Sequence, residues 1–152
     1  MEARTENLHA TAIAVAGRGV LLRGASGAGK SDLALRCLAA PNSLLTSGPV
    51  ELVSDDQVVL VRRGAGIEVL APDAIRGKLE VRGIGIISVG VAKAAQLVLV
   101  ADLVPAGGYE RLPDPERRVT YLGLSLPVVE IAPFEGSAAL KLLLALQQAG
   151  HA

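Results

Sequence analysis

The chain has 152 residues, of which 51% are hydrophobic and only 2% aromatic, with 15 basic and 15 acidic side chains. That length fits one domain with a substantial core, and the cancelled charge gives no global attraction for nucleic acid or an anionic membrane. The single cysteine, Cys37, excludes an internal disulfide and, with no Cys/His cluster at zinc spacing, points to a reducing compartment, so a cytoplasmic protein is expected.

The opening segment "MEARTENLHA" has no apolar core of the signal-peptide kind. No later run reaches the roughly 18 uninterrupted apolar residues of a membrane span. With so few aromatics, the interior must be layered from Val, Leu, Ile and Ala, which suits a buried sheet covered by helices. One domain over residues 1–152 is expected, of α/β class, with a central mixed sheet and flanking helices.

In chain order, "HATAIAVAGRGVLLRG" predicts two β-rich runs around a tight turn at Gly17-Arg18-Gly19. The second run feeds a glycine-rich loop. From Lys30 to about Ala40 the apolar residues Leu33, Ala34, Cys37 and Leu38 follow helical spacing, and Pro41 marks the stop. A turn-rich connector, "PNSLLTSGP", precedes "VELVSDDQVVLVRR", which reads as strand, acidic corner and strand; "IEVLAP" follows Gly64 to Gly66 as a third run. The glycines of "IRGKLEVRGIGIISVG" weaken strand and helix alike, and the segment reads as a strand entering a functional loop.

"AQLVLVADLV" is the continuous apolar run of a central strand buried on both faces. The segment Pro105 to Arg118, rich in proline and charge, is expected to be exposed and mobile. One or two strands in "VTYLGLSLPVVEIAP" follow. Ser137 then caps a terminal helix whose apolar face comprises Leu140, Leu143, Leu144 and Ala145.

Gly24-Ala25-Ser26-Gly27-Ala28-Gly29-Lys30-Ser31 satisfies G-x-x-x-x-G-K-[ST] between a predicted strand and a predicted helix, the context a P-loop requires. Glycines let consecutive N–H groups turn inward around a phosphate, and the helix presents its positive end to the same anion. Lys30 would bridge the β- and γ-phosphates and Ser31 would ligate Mg²⁺. A metal-bound polyphosphate also needs a carboxylate at a neighbouring strand end. The residues alone divide that role evenly between Asp102, ending "QLVLVAD", and Asp55-Asp56, ending "VELVSDD". Within the acidic pair, one side chain could hold metal or water while the other takes a proton.

Three segments in this order, "GASGAGKS", "LVSDD" and "LEVRGIGIISV", resemble the catalytic domain of HPr kinase/phosphorylase, the bacterial enzyme that phosphorylates a serine of the phosphocarrier HPr and can reverse the reaction. The resemblance runs from about His9 to the terminal helix and implies a P-loop fold of the phosphoenolpyruvate carboxykinase-like type. It implies that Gly24, Ala25, Ser26, Gly27, Ala28, Gly29, Lys30, Ser31 and Arg82 bind ATP and the transferred phosphate. Mg²⁺ would be held through Ser31, Asp55 and Glu80, which moves the metal role away from Asp102. One of Asp55 and Asp56 would be the general base toward the substrate serine, with His9 as partner of the pair and Arg111, in "YERL", contributing to the active site.

The chain also departs from the pattern. Family members usually carry glutamate where Asp32 stands, and an arginine-containing Pro-Gly stretch where this chain has "VVEIAPFEGS", with Pro133 and Gly136 but no arginine. Full-length members have a further N-terminal domain, so the expectation is a short form. HPr or an HPr-like phosphocarrier is the expected protein partner, and exposed Val and Leu favour a homo-oligomer. A non-catalytic nucleotide-binding module controlling a partner protein is the alternative, and a small-metabolite kinase a third.

Overall fold

A computed structural model describes residues 4–40, 48–107, 111–112 and 114–149. Pro41, the connector residues 42–47, and residues 108–110 and 113 of the charged excursion lie outside that set. The elements run β1 (Thr5–Leu8), β2 (Thr11–Val15), β3 (Arg18–Arg23), α1 (Lys30–Leu38), β4 (Val50–Ser54), β5 (Val58–Arg63) and β6 (Gly66–Leu70), then β7 (Lys78–Val81), β8 (Gly85–Ser88), β9 (Ala95–Leu103), β10 (Arg118–Tyr121), β11 (Leu124–Ile131) and α2 (Ala138–Gln148).

Among the described residues, nine strands form one mixed sheet in the order β1-β5-β6-β9-β3-β2-β4, with β11 joining β9 and β10 joining β11. β9 organises it. On one side β9 runs parallel to β3, while its other side pairs antiparallel with β6 at Ala95 and Gln96 and parallel with β11 from Val100 onward. Sharing one side of β9 between two partners opens the sheet into a curl, and the curl supplies a second buried face where no helix lies.

Strand alternation separates the two cores. Ile13, Val15, Val20, Leu22, Leu52 and Leu99 face α1 and α2, packing on Leu33, Cys37, Leu142 and Leu146. Ala12, Ala14, Leu21, Val53, Leu60, Val69, Leu97 and Val100 face into the curl with Tyr121 and Leu126. Side chains alternate across a strand. The register slips between Gly19 and Val20 opposite Val98, so Val98 and Leu99 both turn to the helical side.

Several expectations need correction. The first hairpin turns one residue earlier than its glycines indicate: Ala16 (φ 52°) and Gly17 (φ 78°) form the turn, while Arg18 and Gly19 already belong to β3. A two-residue hairpin with both φ positive matches the strand twist. "LEVRGIGIIS" is not a strand entering a loop but a hairpin of its own, β7 paired antiparallel with β8, in which Gly83 and Gly85 supply positive φ at and beside the turn. Ser137 does stand at the N-cap of α2, but its side chain makes no capping hydrogen bond. The buried face of α2 is Ala138, Leu142, Leu143 and Leu146, whereas Leu140 and Leu144 are exposed. Both leucines fit the helical period, but they lie on the edge of the stripe that turns away from the sheet.

Candidate functional site

The parallel strands β3, β9 and β11 end side by side, with Arg23, Asp102 and Glu130 in register. β3 leaves the sheet into Gly24–Gly29, and Lys30 opens α1. Gly27 (φ 85°) and Gly29 (φ 102°) take backbone conformations that other residues adopt at a cost. Lys30 is buried, and its ammonium donates back to the loop carbonyls of Gly24 (2.6 Å) and Ala25 (3.1 Å). The lysine is thereby folded over the loop it follows.

β4 ends beside this loop, and the chain then turns sharply. The Ser54 hydroxyl donates to the Gln57 carbonyl, and Asp56 adopts φ 69°, a left-handed conformation that aspartate tolerates better than most residues. The turn sends the two carboxylates to different places. Asp55 is buried, accepting from the Ser31 hydroxyl (2.7 Å) and the Thr11 hydroxyl (3.0 Å) on Oδ1 and from the Glu80 backbone N–H (3.2 Å) on Oδ2. Asp56 is exposed and lies 3.0 Å from His9 Nε2, while its backbone N–H donates to Thr11 Oγ1 (3.1 Å). Thr11, on β2, thus bridges both acids and was not singled out by sequence. Its only signal there is its place two residues after His9.

Other expected members are less directly placed. Glu80 meets Asp55 through its backbone, and its side chain is exposed. Arg82, at the tip of the β7–β8 hairpin, hangs over the glycine loop: a Cβ added to Gly27 would lie 3.8 Å from Arg82 Nη2. Arg111 is not brought to this group. It lines a separate cavity of about 340 Å³ with Leu112, Asp114, Val129, Glu130 and Lys141.

Asp102 is engaged elsewhere. Arg23 holds it through Nε (2.7 Å) and Nη2 (2.9 Å), and Arg117 Nη2 adds a third contact at 2.8 Å. Burial pushes the Asp102 carboxyl up, but the hydrogen bonds from Arg23 and Arg117 outweigh it and hold the group below the ordinary carboxylate range. The same hydrogen bond raises the Arg23 guanidinium above its usual value, against burial. Arg117 also pairs with Glu130 (3.1 Å), and its carbonyl accepts from the Val128 N–H (3.1 Å), so the charged excursion is pinned to the sheet at its C-terminal end.

Fold and site define an α/β domain in which a strand, a glycine-rich loop and a helix face a buried carboxylate backed by an exposed Asp–His pair. Residues 2–146 match the family model described as HPr Serine kinase C-terminal domain, and the chain belongs to that family. The chain is 36% identical over 134 residues to an HPr kinase/phosphorylase of Burkholderia lata and 35% identical to one of Burkholderia cenocepacia. These alignments cover 82% of the chain but 39% of each relative, so the chain spans well under half the length of the curated relatives it matches. Among solved structures it is similar to the Hpr(Ser) kinase/phosphatase from Coxiella burnetii, with TM-score 0.75 and 25% identity over 92% of this chain and 88% of that one. Among the described residues, no helix is long and apolar enough to cross a membrane.

Proposed function

We propose that this domain is a P-loop serine kinase of the phosphoenolpyruvate carboxykinase-like type, transferring the γ-phosphoryl group of ATP to a serine of HPr or an HPr-like phosphocarrier. The observation that carries the reading is the 2.7 Å hydrogen bond from Ser31 to Asp55, which joins the helix after the glycine loop to the acidic corner of β4. Family membership and the names of the relatives support the acceptor.

The oxygen donors fit Mg²⁺. Ser31 and Asp55 are already in contact, and the described residues hold no cluster of three or more His, Cys, Asp or Glu side chains suited to a metal. Mg²⁺ is typically held by one or two carboxylates together with substrate phosphates rather than by an all-protein cage. When bound, it would neutralise charge on the transferred phosphoryl group. Ser31 and Asp55 would hold it, with Glu80 as a further carboxylate at the rim.

The chain's own residues divide the remaining tasks. The amides of the glycine loop and Lys30, released from the Gly24 and Ala25 carbonyls, would bind the β- and γ-phosphates, and Arg82 would close over them from the hairpin tip. Asp56 would accept the proton of the substrate serine, because it is the exposed member of the pair and His9 orients it from 3.0 Å. Positioning and charge neutralisation then carry most of the catalysis. Arg111 would join only through movement of its segment. Run backward, the same groups would activate inorganic phosphate against phosphoserine. A single domain and self-association through exposed Leu112, Leu140 and Leu144 belong to the same reading.

The test is transfer of labelled γ-phosphate, with Mg²⁺, to purified HPr and to an HPr-like phosphocarrier by the unaltered chain, Lys30→Ala and Asp56→Asn. Phosphoserine formed by the first and lost in both variants is the expected result. ATP binding without label on either acceptor would replace the kinase with a nucleotide-binding regulatory module.

A further inference from the structure

The chain contains one phenylalanine, and it is not in the core. Phe134 is 72% exposed, although an aromatic ring buries more apolar area than the Val, Leu and Ala side chains that fill both cores. It lies between β11 and α2, in a segment fixed on both sides. Ala132 and Pro133 are buried, the Glu135 N–H donates to the Ala132 carbonyl (3.2 Å), and the Ala138 N–H donates to the Glu135 carbonyl (3.1 Å).

A second clamp comes from α1. Arg36 donates through Nη2 to the Pro133 carbonyl and through Nη1 to the Glu135 carbonyl (3.5 Å), while its Nε is held by Asp32 (3.1 Å). The guanidinium therefore grips the backbone on each side of Phe134. The ring tip is directed at the glycine loop: a Cβ built on Gly29 would lie 3.0 Å from Phe134 Cζ, 3.2 Å from Cε1 and 3.3 Å from Pro133 Cβ. A side chain at Gly29 would be strained by the φ of 102° and would press on the ring beside it. The ring's tip lies against the loop, and most of Phe134 meets solvent.

We propose that Phe134 is the stacking platform for the base of a nucleotide whose phosphates occupy the loop 24–31. An exposed aromatic held against the loop at the helix N-terminus lies within a nucleoside's length of the phosphates, and a base stacks on such a ring whatever its edge pattern. The inference rests on the phosphate-binding role proposed above and adds the recognition element for the other end of the ligand. It assigns this chain a nucleotide rather than a bare polyphosphate as the preferred donor.

The experiment compares ATP with inorganic tripolyphosphate, both with Mg²⁺, by calorimetry on the unaltered chain, Phe134→Ala and Phe134→Trp. Phe134→Ala should weaken ATP about tenfold or more while tripolyphosphate stays within about twofold. The chain has two tyrosines but no tryptophan, so Phe134→Trp provides a single tryptophan whose emission is distinct from theirs. That variant should retain ATP binding and change its emission with ATP but not with tripolyphosphate. Equal weakening of both ligands by Phe134→Ala, no weakening of either, or a Trp signal indifferent to the base would overturn the platform. An unaltered chain that binds tripolyphosphate as tightly as ATP would overturn it too while leaving the phosphate cradle standing. A chain that binds neither removes the cradle, and the platform with it.

Discussion

β4 runs into Asp55 and Asp56, and β9 carries Asp102 one residue before its end; the two acidic strand ends lie on the same sheet and read alike in sequence. Their partners differ in charge. Asp102 accepts from two guanidinium groups, Arg23 and Arg117, within 2.9 Å, so its negative charge is spent on a fixed structural pair. Asp55 accepts from two hydroxyls and one amide, three donors against roughly four acceptor sites, none of them a cation. A strand-end carboxylate is thus assigned by the charge of its donors rather than by its position. Neutral donors leave a site able to attract a cation, and cationic donors make a joint.

The comparison is broken most sharply by the exposed acid. Asp56→Asn should lower phosphoryl transfer by at least about a hundredfold while leaving the urea midpoint unchanged, since its side chain is 58% exposed and its ion pair is with the equally exposed His9. A comparable loss of transfer from Asp102→Asn at full folding would erase the distinction between the two strand ends.

Asp102→Asn should act instead on stability. Its side chain is 19% exposed and removing its charge leaves Arg23 without its counterion and Arg117 with Glu130 alone, so a loss of about 2 kcal/mol is expected in urea unfolding, below the ~3–5 kcal/mol of a fully buried pair. The pH dependence follows from the direction of its shift. A carboxyl held below its ordinary value of 3.8 contributes stability that is fully present above that pH and lost as pH falls through the folded value. Unfolding midpoints of the unaltered chain should therefore decline below about pH 4, and Asp102→Asn should remove part of that decline.

Cys37 gives the smallest effect and a check on the others. Burial between the helices pushes its thiol up to about 12, so labelling by a thiol reagent at neutral pH should be slow in the folded chain. The rate should stay slow in Asp56→Asn and increase in Asp102→Asn, in step with the loss of stability.

The motifs on either side of this contrast were legible in the sequence, but the contrast itself was not, and the reason is physical. The glycine loop, Lys30 and the acidic corner are contiguous motifs whose chemistry is local. So is the strand alternation that builds both cores. Asp102 could not be read because its fate depends on Arg23, 79 residues away, and on Arg117, which only the curl of the sheet brings to the same strand end. The β7–β8 hairpin was obscured because glycines that lower strand propensity also make its turn. On α2, Leu140 and Leu144 carry the right period but face away from the sheet, since spacing defines a stripe and not its edges. Phe134 was visible in composition as the single phenylalanine, but its place over Gly29 was not.

The most direct test of the division between the two strand ends is Mg²⁺-dependent transfer of labelled γ-phosphate to HPr by Asp55→Asn and Asp102→Asn, measured side by side at equal folded fraction. Asp55→Asn should lose transfer by about a hundredfold or more, and Asp102→Asn should keep it within about threefold. Transfer that survives Asp55→Asn and fails in Asp102→Asn would move the metal-holding carboxylate to β9 and contradict the site described here.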